Sequence, residues 1–366
     1  ENLLIEHYKF LKNKKKYVKI ITFKNELLRS KEITKDIIEV KNLIGLFIFF
    51  LKLNNCPKII CHSGYIDIFF SSILCFKRYS IFLHQPSVMS FNEQDKYAIK
   101  NLYKLNNVFK IPVIRKNILI YKKIFQKITF IKKLYLNLRF IISYLALKYS
   151  QNVFVLSKVS KIEKKSIYNI DAKIISGAIK EEGIFKWKKK TNKKIKLCIM
   201  SRLDINKRIK KIIRAISISK NRKKILLDIY GSGPQLKEIK KTIKLLRLEK
   251  SVKYKGFLDE KKKFKTIFKY DFFLCLDMAD FRISSYESLK AKTPVILTTE
   301  TPIDRTLERL NCFYYCEPTV LKISDFLEDI EKYKRSKVNW LKIQKYLKKF
   351  TWNNYFNKIE FYVGKN

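Results

Sequence analysis

The amino-acid sequence predicts an α/β protein of two domains, each a parallel sheet covered by helices. Three observations predict it. The chain has 366 residues, enough for two hydrophobic cores of ordinary size. Short apolar runs alternate with stretches whose apolar residues recur at helical spacing, most clearly between residues 195 and 300. Such alternation is the mark of β-α-β units, whose crossovers place helices on both faces of a parallel sheet. Between the halves lies Lys186-Trp187-Lys188-Lys189-Lys190-Thr191-Asn192-Lys193-Lys194, a run of like charges that repel and favour an extended linker.

In the C-terminal half, Ile195–Met200 reads as a buried strand. A helix over Asn206–Ser219 follows, because Ile209, Ile212, Ile213 and Ile216 share one face. Ile225–Tyr230 is a strand leading into Gly231-Ser232-Gly233-Pro234. Proline stands where a helix begins, and Leu236, Ile239, Ile243 and Leu246 line that helix. Val252–Tyr254, Asp271–Leu276 and Pro294–Thr298 complete the expected strands. In the N-terminal half the strand candidates are Tyr17–Phe23, Lys58–Cys61, Tyr79–His84 and Asn152–Leu156. Residues 118–147 form a basic, aromatic-rich helical region.

Composition narrows the class. Hydrophobic residues at 47% exclude a disordered chain, and 8 Gly with 7 Pro exclude a fibrous one. The formal net charge is +48, from 80 Lys+Arg against 32 Asp+Glu. The lysines are spread along the whole chain, which fits a codon bias better than one polyanion-binding block. An anionic membrane surface would still attract them. Seven cysteines at scattered positions fit reduced thiols and a cytoplasmic setting, and the lone Cys312/Cys316 pair lacks the four ligands of structural zinc. The longest uncharged apolar run, Leu43–Leu51, is too short to span a bilayer.

Three clusters carry chemistry. In Ser201-Arg202-Leu203-Asp204-Ile205-Asn206-Lys207, two cations leave the C-terminal end of a strand, the edge at which open α/β sheets bind ligands. An Arg grips two phosphate oxygens and a Lys adds a point charge, so Arg202 and Lys207 suit a diphosphate. The Gly231/Gly233 turn admits two readings, a phosphate cradle or a plain strand-to-helix turn. In Asp280-Phe281-Arg282-Ile283-Ser284-Ser285-Tyr286-Glu287, a loop enters a helix. The N–H groups near Ile283 and Ser284 can receive a phosphate, and Glu287, one turn in, can accept from a ribose diol. Of the three histidines, His84 stands at a strand end, where a ligand-touching or a structural role would serve. His62 reads as structural, and His7, on an N-terminal helix, as a surface residue.

The order of these clusters resembles the retaining GT-B glycosyltransferases of family four, the "glycosyl transferases group 1" domain. The residues that carry the resemblance are Ser201, Arg202 and Lys207; Gly231, Gly233 and Pro234; Gly256-Phe257-Leu258; Glu287; and Thr293-Pro294-Val295-Ile296. Phe350-Thr351-Trp352 resembles the start of the family's last helix. One departure stands out. Ala279 occupies the position of the family's first Glu, and Asp280-Phe281-Arg282 replaces its Gly-Phe-Gly, with Asp277 and Asp280 as possible stand-ins.

The resemblance implies two Rossmann-like domains whose sheets face a central cleft. Residues 1–185 would form the acceptor side, joined by a crossing helix at 345–366, and residues 186–344 would hold the nucleotide sugar. The family's first strand and glycine loop would precede Glu1. The implied enzyme is a metal-independent, cofactor-free hexosyltransferase. It would move a sugar, with retention, from a UDP- or GDP-linked donor to a glycan or lipid-linked acceptor in polysaccharide, lipopolysaccharide or glycolipid synthesis. Arg202, Lys207 and His84 would be catalytic. Gly231, Gly233, Phe257, Leu258, Asp280, Ile283, Ser284 and Glu287 would bind the donor. The protein would be cytoplasmic, with its basic aromatic segment 121–135 able to rest on an anionic membrane. The rival readings are a basic nucleic-acid-binding protein, a nicotinamide-dependent enzyme lacking the third fingerprint glycine, and a degenerate transferase.

Overall fold

The computed structural model describes residues 2–23, 36–53, 58–62, 65–75, 78–83, 141–142, 144–180, 194–277, 281–301, 304–335 and 337–364. The segment 121–135, linker residues 186–193, His84, Ala279 and Asp280 lie outside them. The chain divides into two compact units. Glu1–Ser176 with Trp352–Asn366 make the first, and Gly177–Thr351 the second.

The second unit is built on six parallel strands, β7 (Ile195–Met200), β8 (Ile225–Tyr230), β9 (Val252–Gly256), β10 (Phe272–Cys275), β11 (Val295–Thr298) and β12 (Phe313–Cys316). Their order across the sheet is β12-β11-β10-β7-β8-β9. Counted within the unit this is 3-2-1-4-5-6, the doubly wound order whose direction of winding reverses between β7 and β10. The reversal follows from how the strands bury. Ile195, Leu197 and Ile199 of β7 pack on one face with Ile209, Ile212, Ile213 and Ile216 of the helix Ile209–Ile218. Cys198, Phe273 and Val295 pack on the other with Phe264, Leu289 and Ile343. Each such side chain, fully buried, stabilises the unit by about 1.5–3 kcal/mol, so both faces must be covered.

The helix expected over 206–219 is broken at its start. Ile205–Lys207 form a 3-10 turn capped by the Asp204 carboxylate, which accepts from Asn206 N at 3.1 Å. Arg208 then takes a left-handed φ of 55°, and the α-helix begins at Ile209. That single residue turns Lys207 out of the helical ladder and toward the sheet edge. Strand β12 answers to no expectation from the sequence. Its aromatic run Phe313-Tyr314-Tyr315 adds an edge strand to β11.

In the first unit, β1 (Ile20–Phe23) pairs with β2 (Ile37–Val40). A four-stranded parallel sheet runs β3 (Ile59–Cys61), β4 (Tyr79–Leu83), β5 (Asn152–Val155) and β6 (Lys173–Ile174). The apolar run Leu43–Leu51 is a helix started by Asn42, whose side chain accepts from Gly45 N. Among the described residues no helix is long and apolar enough to cross a membrane. The last helix, Trp352–Gly364, buries Tyr355, Phe356, Ile359 and Val363 in this unit.

The surface reading of His7 is corrected. Its ring stacks on Phe356 with centroids 4.6 Å apart and is only 4% exposed, and its Nδ1 lies 3.2 Å from His62 Nε2. A helix read from its polar residues alone hides that the C-terminal helix covers it. Burial lowers the His7 pKa to about 4, against the smaller upward pull of Glu360. The folded state therefore keeps His7 neutral where the unfolded chain, titrating near 6.5, takes up a proton. Its contribution is complete above pH 6.5 and is lost as pH falls toward 4, at up to about 1.4 kcal/mol per pH unit. Thermal melts between pH 7 and 4.5 should show a falling midpoint. The His7→Phe variant, which keeps the stacking, should fall less steeply; equal slopes would refute this origin.

Candidate functional site

The winding reversal directs attention to the loops after β7 and β10, because the crevice of an open α/β sheet forms there, at the carboxyl ends of the strands. The loop after β7 carries Ser201 to Arg208, and that after β10 carries Leu276 to Arg282. They are tied by side chains across the reversal point. Lys207 Nζ donates to Asp277 Oδ2 at 2.5 Å. Arg282 Nη2 lies 2.5 Å from the same oxygen. Arg208 Nη1 donates to the Leu276 carbonyl at 3.0 Å and pairs with Glu300 at 2.6 Å. Asp277 is 5% exposed. A buried carboxylate is tolerated only when paired, and here two cations share it.

Arg202 is placed differently. Its side chain is 75% exposed, with Nε 2.7 Å from Asp204 Oδ2. An exposed pair of this kind holds a side chain weakly. Arg202 is therefore available to exchange Asp204 for a stronger anion, whereas Lys207 is fixed.

The glycine turn packs against this edge. Gly231 has φ +131°, and a Cβ there would sit 1.9 Å from the Ser201 carbonyl oxygen. At Gly233 a Cβ would come within 2.5 Å of the Leu203 carbonyl oxygen. The two loops are laced by Leu203 N donating to Ser232 O at 2.8 Å and Gln235 N to Leu203 O at 2.9 Å. Gly231 N donates to Gly256 O, also at 2.9 Å. In this arrangement the glycines permit two backbones to meet, which sets the height of the Arg202 loop.

Further along the edge, Gly256 ends β9 with φ +81°, and Phe257 follows it 81% exposed. Leu258 is half-buried. The helix Ile283–Lys290 places Ile283 and Ser284 in its first turn, where N–H groups have no intrahelical acceptor. Phe281 stacks on Tyr286, centroids 4.5 Å apart, and this fixes the entry to the helix. Glu287 is 4% exposed and pairs with Lys263 Nζ at 2.6 Å. Burial opposes the charge on Lys263, but Glu287 and Glu260 outweigh it and raise its pKa.

Of the sequence-predicted site residues, the structure thus sets Lys207 beside the loop that leads to Ile283, Ser284 and Glu287, and sets Gly231 and Gly233 under Arg202. Phe257 and Leu258 follow β9 at the far edge of the sheet. His84 and Asp280 lie outside the described residues. Sequence reading missed Lys263, whose position in a Lys-Lys-Lys run gives no signal. It noted Arg282 only as a departure from the family.

The family described as glycosyl transferases group 1 matches residues 179–350. No curated protein matches the chain by sequence. Among solved structures, a glycosyltransferase from Rickettsia africae ESF-5 aligns with TM-score 0.67 at 14% identity, covering 100% of this chain and 95% of that one. HepE of Anabaena, in complex with UDP, aligns with TM-score 0.60 at 13% identity, covering 90% and 86%. The lipopolysaccharide outer core galactosyltransferase WaaB, in its apo form, aligns with TM-score 0.62 at 12% identity, covering 90% and 84%. The fold is GT-B.

Gly231→Ala should destabilise the second unit by roughly 3 kcal/mol, the sum of overpacking and an unfavourable φ. Urea unfolding will measure it; a loss within error of zero would mean the loops do not meet as described.

Proposed function

We propose that this member of the glycosyl transferases group 1 family moves a hexose, with retention, from a nucleoside diphosphate sugar to a glycan or lipid-linked acceptor. The acceptor's product would belong to cell-surface polysaccharide or glycolipid. The observation that carries the donor side is the Lys207–Asp277 bond across the winding reversal, which places a fixed cation where such sheets take phosphates. HepE, the similar Anabaena structure, is in complex with UDP, which favours a uridine donor over a guanosine one.

The roles follow from the geometry. The diphosphate lies over Lys207 and the first-turn N–H groups of Ile283 and Ser284. Arg202 swings from Asp204 onto it. As the sugar leaves, negative charge grows on the outer phosphate, and donors already in place stabilise it without reorganising. Glu287 accepts from the ribose hydroxyls. A carboxylate has about four acceptor sites, so the Lys263 pairing leaves capacity for a diol. Phe257 is the exposed aromatic surface offered to the base, with Leu258 beside it. Leaving-group stabilisation by cations and amides makes a metal unnecessary. His84 and Asp280 remain the residues proposed to meet the transferred sugar.

Arg202→Ala and Lys207→Ala should each lower turnover by about 10²–10³, the scale of one lost transition-state donor. Steady-state assays with UDP-sugars would show it, and near-parental turnover in both variants would reject the assignment. Glu287→Gln should raise KM for the donor more than it lowers kcat. A thermal-shift panel of UDP-, GDP- and ADP-sugars beside a short RNA should give a midpoint rise with a nucleotide sugar. A rise with RNA alone would favour the nucleic-acid reading.

A further inference from the structure

The carboxylate proposed to hold the ribose is not set by its own helix alone. Glu287 stands in the second turn of Ile283–Lys290, where the macrodipole does little for a negative charge. Its side chain is 5% exposed, and a carboxylate so removed from water is costly unless a cation meets it. Among the described residues one side chain does so: Lys263 Nζ lies 2.6 Å from Oε2. Lys263 is held in turn. It opens the short helix Lys263–Ile267, whose Phe264 and Ile267 are buried in the core and fix its backbone. Glu260 Oε1, on the preceding turn, takes the same ammonium at 3.1 Å. Lys180 Nζ stands 3.9 Å from that Glu260 oxygen. The row therefore alternates in sign from the surface inward: Lys180, Glu260, Lys263, Glu287. The Lys263 ammonium is stretched between an exposed carboxylate and a buried one. It cannot follow Glu287 if that side chain turns, so Glu287 is kept in one orientation by a partner that is itself tethered.

We infer that Lys263 is a positioning residue for the nucleotide's ribose: it holds Glu287 ionised and turned so that Oε1 is presented to the sugar hydroxyls. The inference rests on the donor-site reading above and names what makes its ribose contact selective. An ionised carboxylate is acceptor-only, so both hydroxyls of a ribose diol can donate to it. Protonation would turn one oxygen into a donor and remove part of that capacity. Hydrogen bonds to a charged acceptor are also stronger than those to a neutral one. Lys263 therefore acts on the choice between ribose and deoxyribose. It does not act on the diphosphate, which is assigned to Lys207, Arg202 and the first-turn N–H groups.

Calorimetric titration of the full chain with UDP, GDP, their 2′-deoxy counterparts and inorganic pyrophosphate tests this. The parent should prefer its ribonucleotide over the 2′-deoxy form by about 10- to 100-fold, the scale of a lost hydrogen bond to a charged group. Lys263→Met, which keeps the apolar stem and removes the charge, should abolish most of that preference and leave pyrophosphate affinity unchanged. Lys263→Arg should recover part of it. Lys263→Gln, which can still donate to Glu287 but carries no charge, replaces Lys263→Met if that variant does not fold, with the same expectation. Circular dichroism melts establish which variants are folded. Glu287→Gln should lose the preference as well, and adding Lys263→Met to it should change nothing further, because the lysine acts through the carboxylate. If Glu287→Gln loses the preference and the neutral Lys263 variants keep it, Lys263 is only a structural counter-charge and the inference is overturned. An equal loss of nucleotide, deoxynucleotide and pyrophosphate in those variants overturns it too. If the parent shows no preference, or Glu287→Gln retains it, the ribose role of Glu287 fails and the inference with it. Failure of the parent to bind any of these ligands overturns the whole donor-site reading.

Discussion

At the point where the second unit reverses its winding, one carboxylate oxygen of Asp277 holds both the Lys207 ammonium and the Arg282 guanidinium. Removing Asp277 from water is costly, and the two cations repay that cost only together. The arrangement links the loops after β7 and β10, whose strands pair at Phe272–Leu197 and Phe273–Cys198. It also fixes where positive charge sits before any substrate arrives. The leaving-group stabilisation proposed above requires donors that do not have to move into place, and the Lys207–Asp277 bond meets that condition for Lys207.

The geometry depends as much on absent side chains. Gly231 and Gly233 let the turn after β8 lie directly against the backbone of Ser201 and Leu203. Without that approach the Arg202 loop would be pushed out of line with Lys207. The left-handed Arg208 has a parallel effect, since it ends the 3-10 turn at Lys207 and aims its own guanidinium at Leu276 and Glu300. Backbone conformation at three residues thus decides where three cations stand.

Much of this was legible in the sequence, and the omissions have physical reasons. Ile195–Met200 and Ile225–Tyr230 were readable to the residue because buried parallel strands are short, mostly apolar runs between polar turns, interrupted here only by Lys196 and Asp228. β12 was missed because an edge strand of Phe313-Tyr314-Tyr315 flanked by cysteines shows neither alternation nor length. The break at Arg208 was hidden because any residue can take a left-handed conformation when tertiary contacts favour it. Glu287 could be named from its spacing, but its partner Lys263 could not. Ion pairing between residues 24 apart is decided by the packing of two helices, and Lys263 is one of three successive lysines. His7 was misplaced for a similar reason, because the helix that covers it lies at the other end of the chain.

The most direct measurement is a crystal structure of the full chain with UDP bound. The proposed function requires the diphosphate at the carboxyl ends of β7 and β10, with phosphate oxygens in hydrogen-bond range of Lys207 and of the first-turn N–H groups of Ile283–Lys290. Density for the nucleotide anywhere else on the second unit, with the Lys207–Asp277 pair undisturbed, would contradict it.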